Sequence, residues 1–319
     1  MKTLADIKKI AVLGAGTMGP GIAQTYAMGG YQVTMWTRSE STREKAIASL
    51  HSQLDTFEEE GMLTESKETI LGRINFALTV EEAVDGVDFI QETIVEKKEA
   101  KEELYDKLAA CVPADVIIAS NTSALNIFEI VPEKLLPQQI ICHWYAPPHV
   151  IPLVEVVKSE QAPQEYADIA VTLLNNCGKT AVLMKKFIRG YIVNRLQQCL
   201  NQEVFYLLDN GYCDAEAIDL AAKASFIPRA CVLGLCKRMD FGGVDMTANN
   251  FRNKSYAAPQ WDHIPTTLEK LVEENALGIK TGKGFYDYEG VDLEALKAKR
   301  DKQLFEIFRV TKKFMSDPV

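Results

Sequence analysis

The hydrophobic pattern changes character once along the chain. Up to about residue 186, short apolar runs alternate with stretches of helical periodicity, which predicts strand–helix–strand units and a parallel sheet. The runs expected as strands are 10–13, 31–36, 74–78, 89–92, 116–120, 140–144, 153–157 and 180–184. A long polar helical stretch, 41–60, follows the second of them and ends before Gly61. From Gly190 onward the period is helical throughout, with Ile192, Leu196, Cys199, Leu200, Val204, Leu207 and Leu208 on one stripe. A charged amphipathic helix is expected at 292–315. This pattern divides the chain into an α/β domain at 1–186 and an all-helical domain at 187–319.

The first strand runs straight into a glycine fingerprint, Gly14-Ala15-Gly16-Thr17-Met18-Gly19, and a helical run begins at once. Gly14 allows the tight turn, Gly16 lets backbone approach a pyrophosphate, and Gly19 lets the helix pack closely on the sheet. The first helical turn then offers N–H donors and a positive dipole end to phosphates. Placement at a strand-to-helix junction separates this run from a chance glycine triplet. A Rossmann-type domain is expected, binding a dinucleotide through Gly14, Gly16, Thr17, Met18 and Gly19.

The tip of the second strand bears on which dinucleotide. An NAD site usually carries an acidic residue there, accepting from the adenosine ribose. This chain has Thr37, Arg38 and Ser39, with no carboxylate before Glu40. A hydroxyl and a guanidinium suit a 2′-phosphate, because Arg grips phosphate with two parallel bonds. The cofactor expected is NAD or NADP, with NADP favoured. The alternative leaves Arg38 as a solvated charge stacked over adenine, compatible with either.

Composition narrows the partners. A net charge of -9 without any basic run argues against nucleic acid. No apolar stretch reaches the about 18 residues that span a bilayer. The first six residues are too short and polar for a signal peptide. Seven scattered cysteines, with no CxxC, read as reduced thiols of a cytoplasmic protein. With four histidines and no spaced His/Cys set, no metal site is expected.

Three segments downstream hold polar groups where strands end, which is where open α/β sheets keep their sites. They are Ser120-Asn121-Thr122-Ser123, His143 at the end of an apolar strand, and Glu155 inside Leu153-Val154-Glu155-Val156-Val157. A carboxylate buried in a strand needs a partner, and histidine is the natural one. The carboxylate fixes one imidazole nitrogen and leaves the other as a base. His149, past two prolines, is the competing base and is expected to cap or line the cleft.

These motifs, together with Glu92-Thr93-Ile94-Val95-Glu96, Val193-Asn194-Arg195 and the run from Gly278 to Tyr286, recur in order in one family. The chain resembles the L-3-hydroxyacyl-CoA dehydrogenases, a family that also includes L-gulonate and carnitine dehydrogenases. The resemblance covers about 6 to 290. It implies a helical domain that forms a homodimer, a nicotinamide cofactor and, for the acyl-CoA members, fatty acid metabolism. It implies His143 as general base, Glu155 as its orienting partner, and Ser123 and Asn194 as hydroxyl-binding groups. Glu96 and Lys101 would lie near the nicotinamide ribose.

The chain also departs from the family. Where an asparagine and one proline usually follow the histidine, it has Ala146-Pro147-Pro148, and alanine supplies no amide. Phe226-Ile227-Pro228-Arg229 stands where many relatives have a Met-Gly-Pro turn, and Arg229 is either a carboxylate ligand or a surface charge. The expected substrate is a small hydroxy acid not linked to CoA, with a 3-hydroxyacyl-CoA as the alternative. Acidic density after the second strand disfavours the CoA phosphates. A non-catalytic nucleotide-binding protein leaves the intact Ser123, His143, Glu155 and Asn194 set unexplained.

Overall fold

The computed structural model describes residues 3–255 and 257–317. The chain divides into two compact units, Met1–Ile192 and Val193–Val319. In the first, eight strands form one sheet: β1 (Lys9–Leu13), β2 (Gln32–Trp36), β3 (Ile74–Ala77), β4 (Phe89–Glu92), β5 (Ile117–Ser120), β6 (Gln139–Trp144), β7 (Leu153–Lys158) and β8 (Thr180–Leu183). Each strand end falls within a residue of the one expected. The spatial order is β3-β2-β1-β4-β5-β6-β7-β8.

Helices α1 (Gly19–Met28), α2 (Glu40–Glu59), α3 (Lys67–Leu71), α4 (Val80–Val84), α5 (Lys98–Cys111) and α6 (Gln164–Asn176) accompany the sheet. Ile10 and Val12 of β1 pack in one apolar cluster with Ile22, Tyr26, Leu50 and Leu173. Ala11 and Leu13 join a second cluster with Val80, Leu104 and Leu108. Cover on both faces is why these strands read as continuous apolar runs rather than alternating ones.

The expectation of a wholly parallel sheet needs one correction: β6 and β7 pair antiparallel. Residues 145–152 join them without a helix, and a parallel crossover needs about a dozen residues or more. The β7–β8 pair, with α6 between its strands in the chain, is parallel again.

The fingerprint adopts the strained turn its glycines permit. Gly14 has φ +121, and a Cβ there would sit 2.7 Å from the Thr93 carbonyl oxygen. A Cβ on Gly19 would collide with the Gly14 carbonyl, so α1 can lie this close only with glycine there. Pro20 occupies the first turn of α1 and has no N–H. That turn therefore has one donor fewer than the sequence pattern suggests.

The second unit is helical: α7 (Val193–Asp209), α8 (Ala215–Ala221), α9 (Ile227–Leu233), α10 (Leu235–Gly242), α11 (Val244–Arg252), α12 (Thr266–Glu273) and α13 (Leu293–Ser316). A π turn at Ala222–Phe226 joins α8 to α9. The Asp209 carboxylate caps α12 by accepting from the Thr266 and Thr267 amides, both at 2.8 Å. Among the described residues of this unit, only Ala276 and Phe305 are buried apolar side chains. Leu196 and Leu200 of the α7 stripe stay 42% and 43% exposed. No helix among the described residues is long and apolar enough to cross a membrane.

Candidate active site

The antiparallel ladder sets His143 of β6 directly opposite Glu155 of β7, which brings both side chains to one face of the sheet. His143 Nδ1 lies 3.1 Å from Glu155 Oε2. A carboxylate only accepts, so Nδ1 carries the proton and Nε2 is left able to take one. Glu155 is fully buried, where an unpartnered charge would be costly. The Ile192 amide donates to Oε1 at 2.9 Å and the Tyr145 hydroxyl to Oε2 at 2.6 Å.

Tyr191 completes the surroundings of the imidazole, and sequence reasoning missed it. Its ring stacks on His143, and its hydroxyl donates to the Thr122 carbonyl at 2.7 Å. Burial, then the Glu96 and Glu155 carboxylates, push its phenol far above the usual range, so it stays neutral. The backbone at Tyr191 is left-handed, φ 50, directly after Gly190. The only hint in the sequence is that Gly190 opens the change in texture.

A cleft of about 750 Å³ is lined by residues 14–18, Arg38, Thr42, Glu96, Ser123, His143 and Tyr145, among others. It brings the glycine fingerprint and the histidine to one space. Nothing lies within 4 Å of where a Gly16 Cβ would stand, so the loop presents bare backbone at the position where a pyrophosphate is expected. The residues present fit a dinucleotide.

Glu96 also shapes the Ser123 turn. Its Oε1 accepts from the Thr122 hydroxyl at 2.7 Å and from the Ser123 and Ala124 amides at 2.8 and 3.0 Å. Burial alone would raise this carboxyl, but those bonds and Lys101 together hold it below the ordinary range.

Other expected site residues stand elsewhere. Thr37 is fully buried, does not line the cleft, and its hydroxyl has no hydrogen-bond partner among the described residues. It shares the inward face of Val33 and Met35, so strand alternation turns Trp36 and Arg38 to the cleft instead. Lys101 is also fully buried. Its ammonium reaches Glu92 at 2.6 Å and Glu96 at 3.7 Å rather than the cleft. His149 packs against α1, where a Cβ on Gly21 would meet its Nδ1 at 2.9 Å, and it does not line the cleft. Asn194 stands in the first turn of α7, in the second unit. Arg229 is exposed there and donates to the Ser225 carbonyl at 3.2 Å. No group of three or more His, Cys, Asp or Glu among the described residues could hold a metal ion.

Beneath the 145–152 connection lies Lys179, nearly fully buried. Its ammonium donates to the carbonyls of Pro148 and of Ile151, the latter at 3.1 Å, and stands 5.4 Å over the Trp144 ring. Burial pushes it down to about 7.

Residues 9–187 match the model of the 3-hydroxyacyl-CoA dehydrogenase NAD binding domain, and 190–288 match that of the family's C-terminal domain. The chain belongs to the 3-hydroxyacyl-CoA dehydrogenase family. It is therefore a nicotinamide-dependent dehydrogenase. It is 30% identical to 5-formyl-3-hydroxy-2-methylpyridine 4-carboxylate 5-dehydrogenase of Mesorhizobium japonicum, over 95% of this chain and 98% of that one. It is 35% identical to a probable 3-hydroxybutyryl-CoA dehydrogenase of Bacillus subtilis, over 89% and 98%. Among solved structures, a 5-formyl-3-hydroxy-2-methylpyridine 4-carboxylic acid 5-dehydrogenase, described as an NAD+ dependent dismutase, superposes with a TM-score of 0.85. That pair is 27% identical, and the match covers 96% of this chain and 99% of the other.

Proposed function

We propose that this dehydrogenase transfers a hydride between the nicotinamide and a secondary hydroxyl of a small hydroxy acid that is not linked to CoA. The observation that carries the reading is the His143–Glu155 pair, 3.1 Å apart and opening on the same cleft as the glycine fingerprint. The bound nicotinamide supplies the hydride acceptor. His143 Nε2 takes the hydroxyl proton, and Glu155 stabilises the imidazolium that results. Ser123, held by Glu96, steadies the substrate oxygen from the cleft wall. Asn194 takes the second hydroxyl-binding role on the family resemblance alone.

The absence of CoA is supported by the basic groups after β2. Arg43 is paired with Glu40, and Lys67 with Asp55 and Glu58. A CoA phosphate would have to break those pairs in an acidic neighbourhood. The Bacillus subtilis relative favours the second reading, a 3-hydroxyacyl-CoA dehydrogenase proper. A panel of free hydroxy acids against 3-hydroxyacyl-CoA thioesters, with both cofactors, separates the two. Turnover confined to the thioesters overturns the first.

Two finer readings accompany it. Arg38 lines the cleft without an ion-pair partner among the described residues, which supports a grip on a 2′-phosphate and hence NADP in preference to NAD. The exposed α7 stripe, in a unit with only two buried apolar side chains among its described residues, supports a homodimer through the helical unit.

A further inference from the structure

Ala146 presents only a methyl group next to β6, yet the buried carboxylate of Glu155 meets donors on both of its oxygens. One is the hydroxyl of Tyr145, the second residue after the proposed base. It approaches Glu155 Oε2 at 2.6 Å, the same oxygen that faces His143 Nδ1 at 3.1 Å. The Tyr145 ring lies 4.6 Å from the imidazole, its plane tilted by 58°. Unlike Tyr191, which is buried, Tyr145 is only half-buried and lines the cleft. The Ile192 amide occupies the other carboxylate oxygen.

From this geometry we propose that Tyr145 is a positioning residue that tunes the base through Glu155, an assignment that rests on His143 being that base. A phenol donating to Oε2 withdraws charge from the oxygen on which the imidazole relies. It also fixes the plane of the carboxylate, because Oε1 is held by Ile192 and Oε2 by Tyr145. The base is thereby oriented and its counter-charge moderated by one hydroxyl. Of the titratable groups around the pair, Tyr191 is pushed up by burial and stays neutral, and so does Cys142, whose side chain joins the apolar cluster on the other face of the sheet. Glu96 is held ionised and occupied by the Thr122 and Ser123 turn. Lys179 points its ammonium at the carbonyls of the connection.

Tyr145→Phe keeps the ring and removes only the donor. With the phenol gone, Oε2 becomes the stronger acceptor and favours the imidazolium. The acid limb of the kcat/KM profile should then move to higher pH by about one unit, with kcat down about tenfold and cofactor affinity unchanged. In a Glu155→Gln background the same substitution should leave kcat and the limb where they are, since its route to the base is already cut. An unmoved acid limb in Tyr145→Phe overturns the assignment, and so does an independent loss in the Glu155→Gln background. Either result leaves His143 as the base untouched. A fully active His143→Asn enzyme would instead remove the reading beneath it, whatever Tyr145→Phe does.

Discussion

The ring of Tyr191 stacks on the imidazole of His143, with centroids 4.4 Å and planes 21° apart. Its hydroxyl reaches the Thr122 carbonyl, so one side chain joins the proposed base to the turn that carries Ser123. Tyr191→Phe keeps the stack and loses about 1 kcal/mol with the hydrogen bond. Tyr191→Ala also empties the volume beside the imidazole and should cost about 3–5 kcal/mol. Urea denaturation of both variants measures the difference, and equal midpoints would show that the ring contributes nothing.

His143→Asn should lower turnover by about two or more orders of magnitude, the usual scale for a general base, with cofactor affinity kept. Glu155→Gln should fall between that variant and the wild type, because the ring stays oriented while the imidazolium loses its counter-charge. Steady-state kinetics and cofactor titration check both. Unchanged turnover in His143→Asn would sink the mechanism.

Cofactor choice tests Arg38. A charge-assisted bond to a 2′-phosphate is worth about 1.5–3 kcal/mol, or roughly one to two decades of preference. Arg38→Ala should lower kcat/KM with NADP by that factor and leave NAD nearly unchanged. A wild-type enzyme that prefers NAD tenfold overturns the NADP reading. Thr37→Asp is a poor test, because position 37 is fully buried and the new carboxylate would be buried with it.

Lys179 should make the stability of the protein depend on pH. Its ordinary value is 10.5, and burial brings it to about 7 in the fold. Between those limits the unfolded chain binds more protons, so falling pH favours unfolding. Lys179→Met leaves two carbonyls without their ammonium and should cost about 1–3 kcal/mol. The wild type's stability advantage over this variant should therefore widen between pH 7 and pH 9 in thermal melts. A gap that narrows or stays constant argues that the ammonium remains charged throughout.

The proposed homodimer is tested by its mass. Sedimentation at micromolar concentration should give twice the 35.5 kDa chain mass. A mass of 35.5 kDa would mean that the exposed α7 stripe is not an interface between copies.

Local features were the most legible in the sequence. The glycine fingerprint and the strand ends depend on neighbours along the chain, and strand alternation alone would have placed Thr37 inward with Val33 and Met35. The His143–Glu155 pairing was visible as a chemical need, but the antiparallel ladder that satisfies it was not, because strand direction follows from the connection. Tyr191 and the Ile192 amide were invisible. Each reaches the dyad from a distant part of the chain, and nothing local marks such a contact. The burial of Lys101 against Glu92 was invisible for a similar reason: only the fold brings the two together.

The β6–β7 ladder sets His143 opposite Glu155 by backbone pairing, and the short connection at 145–152 helps to fix that register. A one-residue slip between these strands would turn one member of the pair to the other face of the sheet and part the imidazole from its carboxylate. The length of that connection is therefore as constrained as the two side chains it brings together.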